Sequence, residues 1–457
     1  MIFSSAEFLF LFLACTLLGY YNPFFRGRRF RNVFLLLVSL FFYAWGEPVN
    51  VLLLLASIAV NWWFGRRVER SVNHRRALLT AAVVFNLAGL FVFKYLGFVC
   101  RNLAGLGLPV PEVSLALPIG ISFYTFQAMS YVIDVYRGKS PAQRSVLDVG
   151  LYVAFFPQLI AGPIVRYETV AQEIHGRQET WADFCAGVPR FIVGMGKKVI
   201  LANNMALIAD AAFDLVHPLS APMAWLGAVA YALQIYFDFS GYSDMAIGMG
   251  RMFGFHFLEN FDHPYLAVSI TDFWRRWHIS LSTWFRDYVY IPLGGNRVGP
   301  RRHLMNLFVV WLLTGIWHGA NWTFILWGMG YFLLLMAEKY GHIHQKLGKL
   351  SRVWTLFWVL MLWVLFRAKS ISAAGSYLAA MFTGGRGDMA DFLYYFGNMK
   401  VYLAAAVACC LPWHKLWRRI PETPRAWLEA AGQAVLLLVV ITYVVSSTYN
   451  PFIYFNF

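Results

Sequence analysis

The sequence predicts an all-α polytopic membrane protein. Of its 457 residues, 59% are hydrophobic and only 13% are charged, whereas soluble globular proteins carry about 25% charged residues. Apolar runs recur along the chain at close to the ~20 residues that cross the hydrocarbon layer as a helix. Helices are expected because every backbone polar group inside lipid must be paired within the protein.

The first third of the chain alternates between apolar runs and short loops. The predicted spans are 1–21, 32–46, 49–65, 77–99 and 116–136. Loops 22–31, 66–76 and 137–144 hold four, five and three basic residues, twelve in all, whereas the other two loops hold only Arg101. Lysine and arginine collect in cytoplasmic loops. We therefore expect these three loops in the cytoplasm and the N-terminus outside.

The later runs are less regular. Pro157 and Pro163 interrupt residues 145–165, which predicts a kinked or re-entrant segment. Further spans are predicted at 188–214, 222–239, 353–368, 399–413 and 427–448, and in 304–338 as two helices meeting near Asn321.

About 11–13 membrane segments are expected from these runs. Because no internal repeat or separable soluble domain is visible, we predict one membrane domain over 1–457. It comprises peripheral spans at 1–100, a central core at about 116–340 and C-terminal spans at 350–457.

Net charge and cysteine content narrow the choice of partners. The net charge is +15, which in a soluble domain would suggest nucleic acid. In a membrane protein basic loops account for this charge, so no nucleic-acid partner is predicted. The five cysteines are odd in number and lie mostly in apolar runs. Neither a disulfide framework nor a metal site is indicated.

Residues 272–288 are strongly amphipathic when placed on a helix. At 3.6 residues per turn the aromatic residues fall on one side, and Arg275 and Arg276 fall on the other. We expect one continuous amphipathic helix that ends near Pro292, with His278 at the edge of the aromatic side. The arginines could bind phosphate or carboxylate groups. Alternatively, they pair with neighbouring aspartates or extend to the interface.

His318 is a candidate general base. It lies between the uncharged runs 304–316 and 324–336, and an ionisable residue at such a depth is by default a functional hypothesis. Neutral imidazole accepts a proton from a hydroxyl. The alternative is a structural histidine that hydrogen-bonds across helices. Gly315 and Gly319 are expected to thin the helix so that substrate approaches His318. For His278, stacking within the core is the alternative.

A third cluster lies in residues 234–245. Asp238, Ser240, Tyr242 and Asp244 are predicted to give a polar lining to a cavity. Ion pairing of the two aspartates with the arginines of the amphipathic helix explains them equally well.

Six segments carry a resemblance to a known family. The sequence resembles the membrane-bound O-acyltransferase family, and most closely its bacterial alginate O-acetyltransferase branch. The matching segments are 117–124, 159–163, 236–244, 274–284 (WRRWHISLSTW), 315–321 (GIWHGAN) and the aromatic tail 450–457.

This resemblance implies that His318 is catalytic and that His278 is a second, supporting histidine. We expect Trp274, Trp317 and Asn321, within the same motifs, to contact substrate. It also implies a ring of helices around a central tunnel. Acetyl passes through this tunnel from cytoplasmic acetyl-CoA, and no covalently bound cofactor is expected.

The implied acceptor is an extracytoplasmic polysaccharide such as alginate, in exopolysaccharide modification. Acetyl reaches it directly or through a separate extracytoplasmic acetyltransferase partner. The expected location is the bacterial cytoplasmic (inner) membrane, among its lipids. Peptidoglycan or another cell-wall polymer is an alternative acceptor. A transporter or channel is the alternative from another class, although no inverted repeats are apparent. An inactive scaffold of a secretion complex is a third possibility.

Overall fold

The structure is a computed structural model that describes residues 1–214, 218–385, 387–417, 419–446, 449–451 and 453. Within these residues it contains helices and no β-strand, which confirms the all-α prediction. Five of the described helices are long and apolar enough to cross a membrane. Residues 454–457, at the end of the predicted C-terminal segment, lie outside the described residues.

The chain forms two compact units. The first comprises Met1–Phe191 and Met245–Leu258, and the second comprises Ile192–Asp244 and Glu259–Phe457. The prediction of a single membrane domain stays a prediction.

The first unit is built from helices of unequal length. They are α1 (Glu7–Tyr20), α2 (Arg28–Gly46), α3 (Asn50–Arg70), α4 (Arg75–Gly105), α5 (Ile121–Tyr136), α6 (Val146–Ala154), α7 (Phe156–Leu159), α8 (Tyr167–Val170), α9 (Glu173–Gly176) and the first part of α10 (Trp181–Phe213). Helix α3 packs against α4, α5 and α6, and α2 packs against α6.

The second unit contains the rest of α10 and most of the next helix, α11 (Ala221–Met252). Its other helices are α12 (Ile270–Arg276), α13 (Ile279–Phe285), α14 (Pro300–His318), α15 (Trp322–Gly341), α16 (Ile343–Leu347), α17 (Ser351–Arg367), α18 (Ile371–Phe382), α19 (Ala390–Cys409), α20 (His414–Trp417) and α21 (Glu422–Ser446). Helix α15 packs against α12, α14 and α17.

Most of the predicted apolar runs coincide with helices, including the runs 304–338, 145–165 and 222–239. The run 304–338 forms two helices that meet near Asn321, as predicted. The run 145–165 is broken at Phe155, also as predicted, because α6 ends there and α7 begins with Pro157 in its first turn. The run 222–239 is longer than predicted, since α11 continues through the glycine-rich residues to Met252.

The prediction of one continuous amphipathic helix over 272–288 is wrong. Helix α12 ends at Arg276 and α13 begins at Ile279, with His278 between them in the left-handed conformation (φ 44°, ψ 54°). Tertiary hydrogen bonds explain the break. The Ile279 amide donates to the Asn260 carbonyl (2.9 Å), and the Arg276 carbonyl accepts from the Asp262 amide (2.9 Å). These backbone groups would otherwise bond within the helix.

Glu179 organises the charged groups of the first unit. Its carboxylate is nearly buried and pairs with Arg28 and with Arg31 (2.7 Å), and it accepts a hydrogen bond from the Tyr20 hydroxyl. Burial by itself raises the pKa of Glu179, but hydrogen bonds from Arg28 and Tyr20 and the arginine charges outweigh burial and hold the pKa at about 2. The ionised carboxylate therefore stabilises the fold.

Replacing Glu179 with glutamine should lower the thermal stability of the detergent-solubilised protein at pH 7. Hydrogen bonds to charged groups contribute about 1.5–3 kcal/mol. A depressed carboxyl pKa gives stability that is present above the unfolded value of 4.5 and is lost as pH falls towards 2. The stability difference between wild type and Glu179→Gln should therefore shrink between pH 5 and pH 3. Glu112→Gln, at an exposed loop position, is the control. If wild type and Glu179→Gln differ in stability by the same amount at pH 5 and at pH 3, the Glu179 carboxylate does not contribute in the way described.

Candidate active site

The α14–α15 hairpin holds His318 at its turn. The two helices approach so closely that a Cβ on Gly315 would lie 2.5 Å from the Phe324 carbonyl oxygen, and a Cβ on Gly328 would meet the Trp311 carbonyl. A Cβ on Gly319 would overlap the Phe324 ring. The expectation that Gly315 and Gly319 open a path for substrate is therefore wrong. Neighbouring protein atoms fill the space, and these glycines permit close helix packing.

Aromatic rings surround the His318 imidazole. Trp317, Trp327 and Phe366 each contact it edge to face, with centroid distances of 5.0, 4.9 and 5.1 Å. All three rings are buried, whereas His318 itself is half-buried. The rings fix the orientation of the imidazole.

His278 lies in the same aromatic cluster, since its ring contacts Trp317 at 6.1 Å. Its left-handed backbone carries a strain of about 1–3 kcal/mol, and such strain often occurs at functional sites. Asn260 holds it there. The Asn260 Oδ1 accepts from the Ser280 amide (3.1 Å) and lies 3.2 Å from His278 Nδ1. Because this oxygen only accepts, Nδ1 carries the proton and the imidazole lone pair is on Nε2.

A cavity of about 550 Å³ borders the aromatic cluster around His318, although His318 itself is not in its lining. Phe366 lines it and also contacts the His318 ring. Most of the other lining residues are charged, polar or aromatic, and two come from the C-terminal segment: Asp210, Asp214, Arg367, Lys369, Tyr231, Gln234, Asn321, Thr323, Phe324, Ala368, Pro451 and Ile453. The site therefore combines a base candidate with a polar space large enough for a small ligand.

The charges of this cavity are balanced in pairs. Arg367 binds Asp210 (2.9 Å) and Asp214 (3.1 Å), and Lys369 binds Asp214 (2.6 Å). These contacts tie the ends of α10 and α17 together at one wall of the cavity.

Asp238 and Asp244 pair with lysines of α10. Lys198 lies 2.7 Å from Asp238, with both side chains almost fully buried, and Lys197 lies 2.6 Å from Asp244. Pairing of these aspartates with Arg275 and Arg276 is therefore not what the structure shows.

The buried Lys198–Asp238 pair also anchors the C-terminal segment. Asp238 Oδ2 accepts from the Ile453 amide (2.9 Å), and Lys198 donates to the Pro451 carbonyl. A buried ion pair needs such additional hydrogen bonds to offset its desolvation. Since Pro451 and Ile453 line the cavity, the pair shapes the wall of the candidate site.

The remaining predicted residues are spread over several environments. Trp274 is buried against Trp311 (4.9 Å) and belongs to the core around the site. Asn321 lines the cavity and caps α15 by accepting from the Thr323 amide (3.1 Å). Ser240 and Tyr242 are buried in α11.

The two arginines of α12 lie towards the surface. Arg275 is exposed, and Arg276 pairs with Asp272 (2.9 Å). This pair matches the alternative that the sequence left open for Arg276, and substrate binding by either arginine stays a prediction.

Sequence reasoning missed several residues of the site, notably Asn260, Asp210, Arg367 and Tyr231. Asp210 and Asp214 could have indicated part of the site from the sequence. They lie four positions apart at the end of an apolar run, and residues with this spacing share a helix face. Asn260 lies in an irregular segment, so no periodicity indicates its contacts.

The chain is similar in sequence to one protein family and to several named proteins. The sequence profile of the membrane-bound O-acyltransferase family (MBOAT) matches residues 139–373. The chain is 40% identical to the probable alginate O-acetylase AlgI of Pseudomonas putida over 491 residues, covering 100% of both proteins. It is 46% identical to the protein of the same name from Pseudomonas aeruginosa over 403 residues, covering 86% of this chain and 76% of that one. It is also 32% identical to the peptidoglycan O-acetyltransferase of Helicobacter pylori over 517 residues, covering 100% of this chain and 98% of that one.

Replacing Asp238 with asparagine should destabilise the protein strongly, because it leaves the Lys198 charge buried without its partner. Breaking a buried pair costs about 3–5 kcal/mol, and thermal unfolding in detergent measures the loss. The double variant Asp238→Asn/Lys198→Met should regain part of the lost stability, because it no longer buries an unpaired charge. Asp272→Asn breaks a partly exposed pair and should cost at most about 1 kcal/mol. A loss of at most about 1 kcal/mol in Asp238→Asn, as expected for the partly exposed pair, would show that the buried pair is dispensable.

Proposed function

Because this chain belongs to the membrane-bound O-acyltransferase family, we propose that it O-acetylates an extracytoplasmic polysaccharide, with acetyl-CoA as the cytoplasmic donor and His318 as the general base. Membership makes the chain a multi-pass membrane O-acyltransferase. The observation that supports the finer proposal is the position of His318, which is held by three aromatic rings, one of which, Phe366, also lines a polar cavity.

The proposed reaction is one acyl transfer. The imidazole of His318 accepts the proton of an acceptor hydroxyl, and the hydroxyl oxygen attacks the thioester carbonyl of the donor. The carbon–sulfur bond then breaks, and the leaving thiolate takes the proton from the imidazolium. This balances the reaction and returns His318 to its neutral form. His278, linked to His318 through Trp317, supports the orientation of that ring.

Loop charge supports the sidedness of the proposal. Helix α14 begins with Arg301 and Arg302 after Pro300, and α15 has Lys339 in its last turn. Basic residues favour the cytoplasmic side, so the turn at the other end of this hairpin, with His318, lies towards the outer side. An acceptor that enters from outside then reaches the base without crossing the membrane.

The relatives suggest two acceptor classes. An alginate-like exopolysaccharide is favoured by the alginate O-acetylases, which are 40% and 46% identical to this chain. Peptidoglycan is the second candidate, since a full-length relative is named for that activity. A separate extracytoplasmic transferase partner and a location in the bacterial inner membrane complete the proposal.

His318→Ala and His318→Gln should reduce acetyl transfer from labelled acetyl-CoA to polymer in native membrane vesicles by about 10²–10⁴-fold, the usual contribution of a positioned base. Glutamine keeps hydrogen-bonding capacity but takes up no proton. His278→Ala should be impaired less severely.

His303→Gln is the matched control, because His303 lies on the same helix and is buried, with hydrogen-bond contacts to Tyr340 (2.8 Å) and Tyr290 (2.9 Å). His303→Gln should keep acetyl transfer within severalfold of the wild-type rate. Full activity in His318→Gln would remove His318 from the chemistry.

The orientation is tested with single cysteines in a version that lacks the native five. Val72 lies just after the end of α3, and Leu106 lies just after the end of α4. Both residues are strongly exposed. An impermeant thiol reagent applied to intact spheroplasts should label Leu106→Cys and spare Val72→Cys. The reverse labelling pattern contradicts the proposed side of the donor.

A further inference from the structure

The end of the α14–α15 hairpin that lies opposite His318 carries a group of exposed cations. Between residues 300 and 353 the chain has six lysine and arginine residues and one carboxylate, Glu338. The cations lie in the first turn of α14, at the end of α15, in α16 and around the start of α17. All six are exposed, and together they form the basic face: Arg301, Arg302, Lys339, Lys346, Lys349 and Arg352.

Contacts between helices hold these cations at one end of the hairpin. The His303 imidazole, which follows Arg302 in the chain, accepts a hydrogen bond at Nε2 from the Lys339 ammonium (2.9 Å). This bond joins the first turn of α14 to the last turn of α15. Helix α16 packs against both α15 and α17, which keeps the remaining three cations at the same end: Lys346, Lys349 and Arg352.

No carboxylate neutralises the basic face. Among the residues that the structure describes, none of the six cations forms an ion pair. Glu338 is buried, and its oxygens accept from the Ile270 and Thr271 amides at the start of α12. The partner of Lys339 is uncharged, because an ammonium only donates and the His303 Nε2 must therefore be unprotonated. Six like charges close together repel one another, so an external anion would stabilise this face.

Exposed aliphatic side chains lie beside the cations. Leu304 and Met305, in the second turn of α14, are 39% and 52% exposed. Leu350 and Val353 flank Arg352 and are both 64% exposed. A dissolved anion leaves such side chains in water, whereas a phospholipid covers them with its acyl chains while its phosphate meets the cations. Cations beside exposed apolar surface therefore fit a lipid better than a soluble phosphate.

We propose that the basic face binds anionic phospholipids of the surrounding leaflet, with Arg301, Arg302 and Lys339 in contact with the lipid phosphates. This interaction is separate from acyl transfer, since the basic face and His318 lie at opposite ends of the hairpin. It gives this end of the second unit a preference for anionic over uncharged headgroups.

Lipid titration of the delipidated, full-length protein in a non-ionic detergent tests this surface. Dioleoyl phosphatidylglycerol should raise the melting temperature, whereas dioleoyl phosphatidylcholine, which has no net charge, should raise it much less. The triple variant Arg301→Gln/Arg302→Gln/Lys339→Gln should weaken the apparent affinity for phosphatidylglycerol about ten- to hundredfold, the effect expected for three cations at an anionic lipid surface. Without lipid, this variant should melt close to wild type, because the three side chains have no carboxylate partner.

The triple variant Lys139→Gln/Arg286→Gln/Arg425→Gln is the matched control, because it removes the same net charge. Each of these cations has a carboxylate within reach, at 2.7, 2.7 and 3.8 Å respectively: Glu168, Asp287 and Glu429. The control should keep the affinity for phosphatidylglycerol within about twofold, since cations that are already paired contribute little to an external anion.

Three outcomes overturn the lipid surface. The first is an equal loss of affinity in the two triple variants, which would reduce the effect to net charge. The second is equal stabilisation of the wild type by the two lipids. The third is stabilisation by coenzyme A or glycerol 3-phosphate that the basic-face variant abolishes, which would assign the face to a soluble phosphate.

Discussion

The close backbone contact between α14 and α15 is the constraint on which the site depends. Only glycine at 315 and 328 lets the hairpin close, because a Cβ at either position meets a backbone carbonyl that cannot move aside. The closed hairpin presents Trp317, His318 and Trp327 together at one end. The aromatic cluster, and through Phe366 the cavity, follow from that contact.

Paired charges give the second unit its polar interior. Lys198 and Asp238 neutralise one another between α10 and α11, and the backbone of the C-terminal segment completes their hydrogen bonds. Arg367 joins α17 to the acidic residues at the end of α10. Each charged group that lines the cavity is therefore held by an oppositely charged partner.

The sequence predicted what depends on composition and local pattern. The helices and the turn near Asn321 followed from run length, and the break after Ala154 followed from proline. Contacts between distant residues were not predictable in this way. The helix break at His278 depends on Asn260, and the partner of Asp238 is a lysine on another helix, so neither leaves a periodic signal. The motifs indicated that His278 and His318 belong together, but only the structure supplies the Trp317 contact between them.

The most direct test of transfer across the membrane separates the two substrates. Sealed native vesicles would hold labelled acetyl-CoA on the cytoplasmic face of the membrane and de-O-acetylated alginate on the other face. If His318 works at the outer end of its hairpin on a donor from the cytoplasm, labelled O-acetyl ester should accumulate on the polymer across the membrane. Labelled polymer that forms only when donor and acceptor share one side would contradict this account.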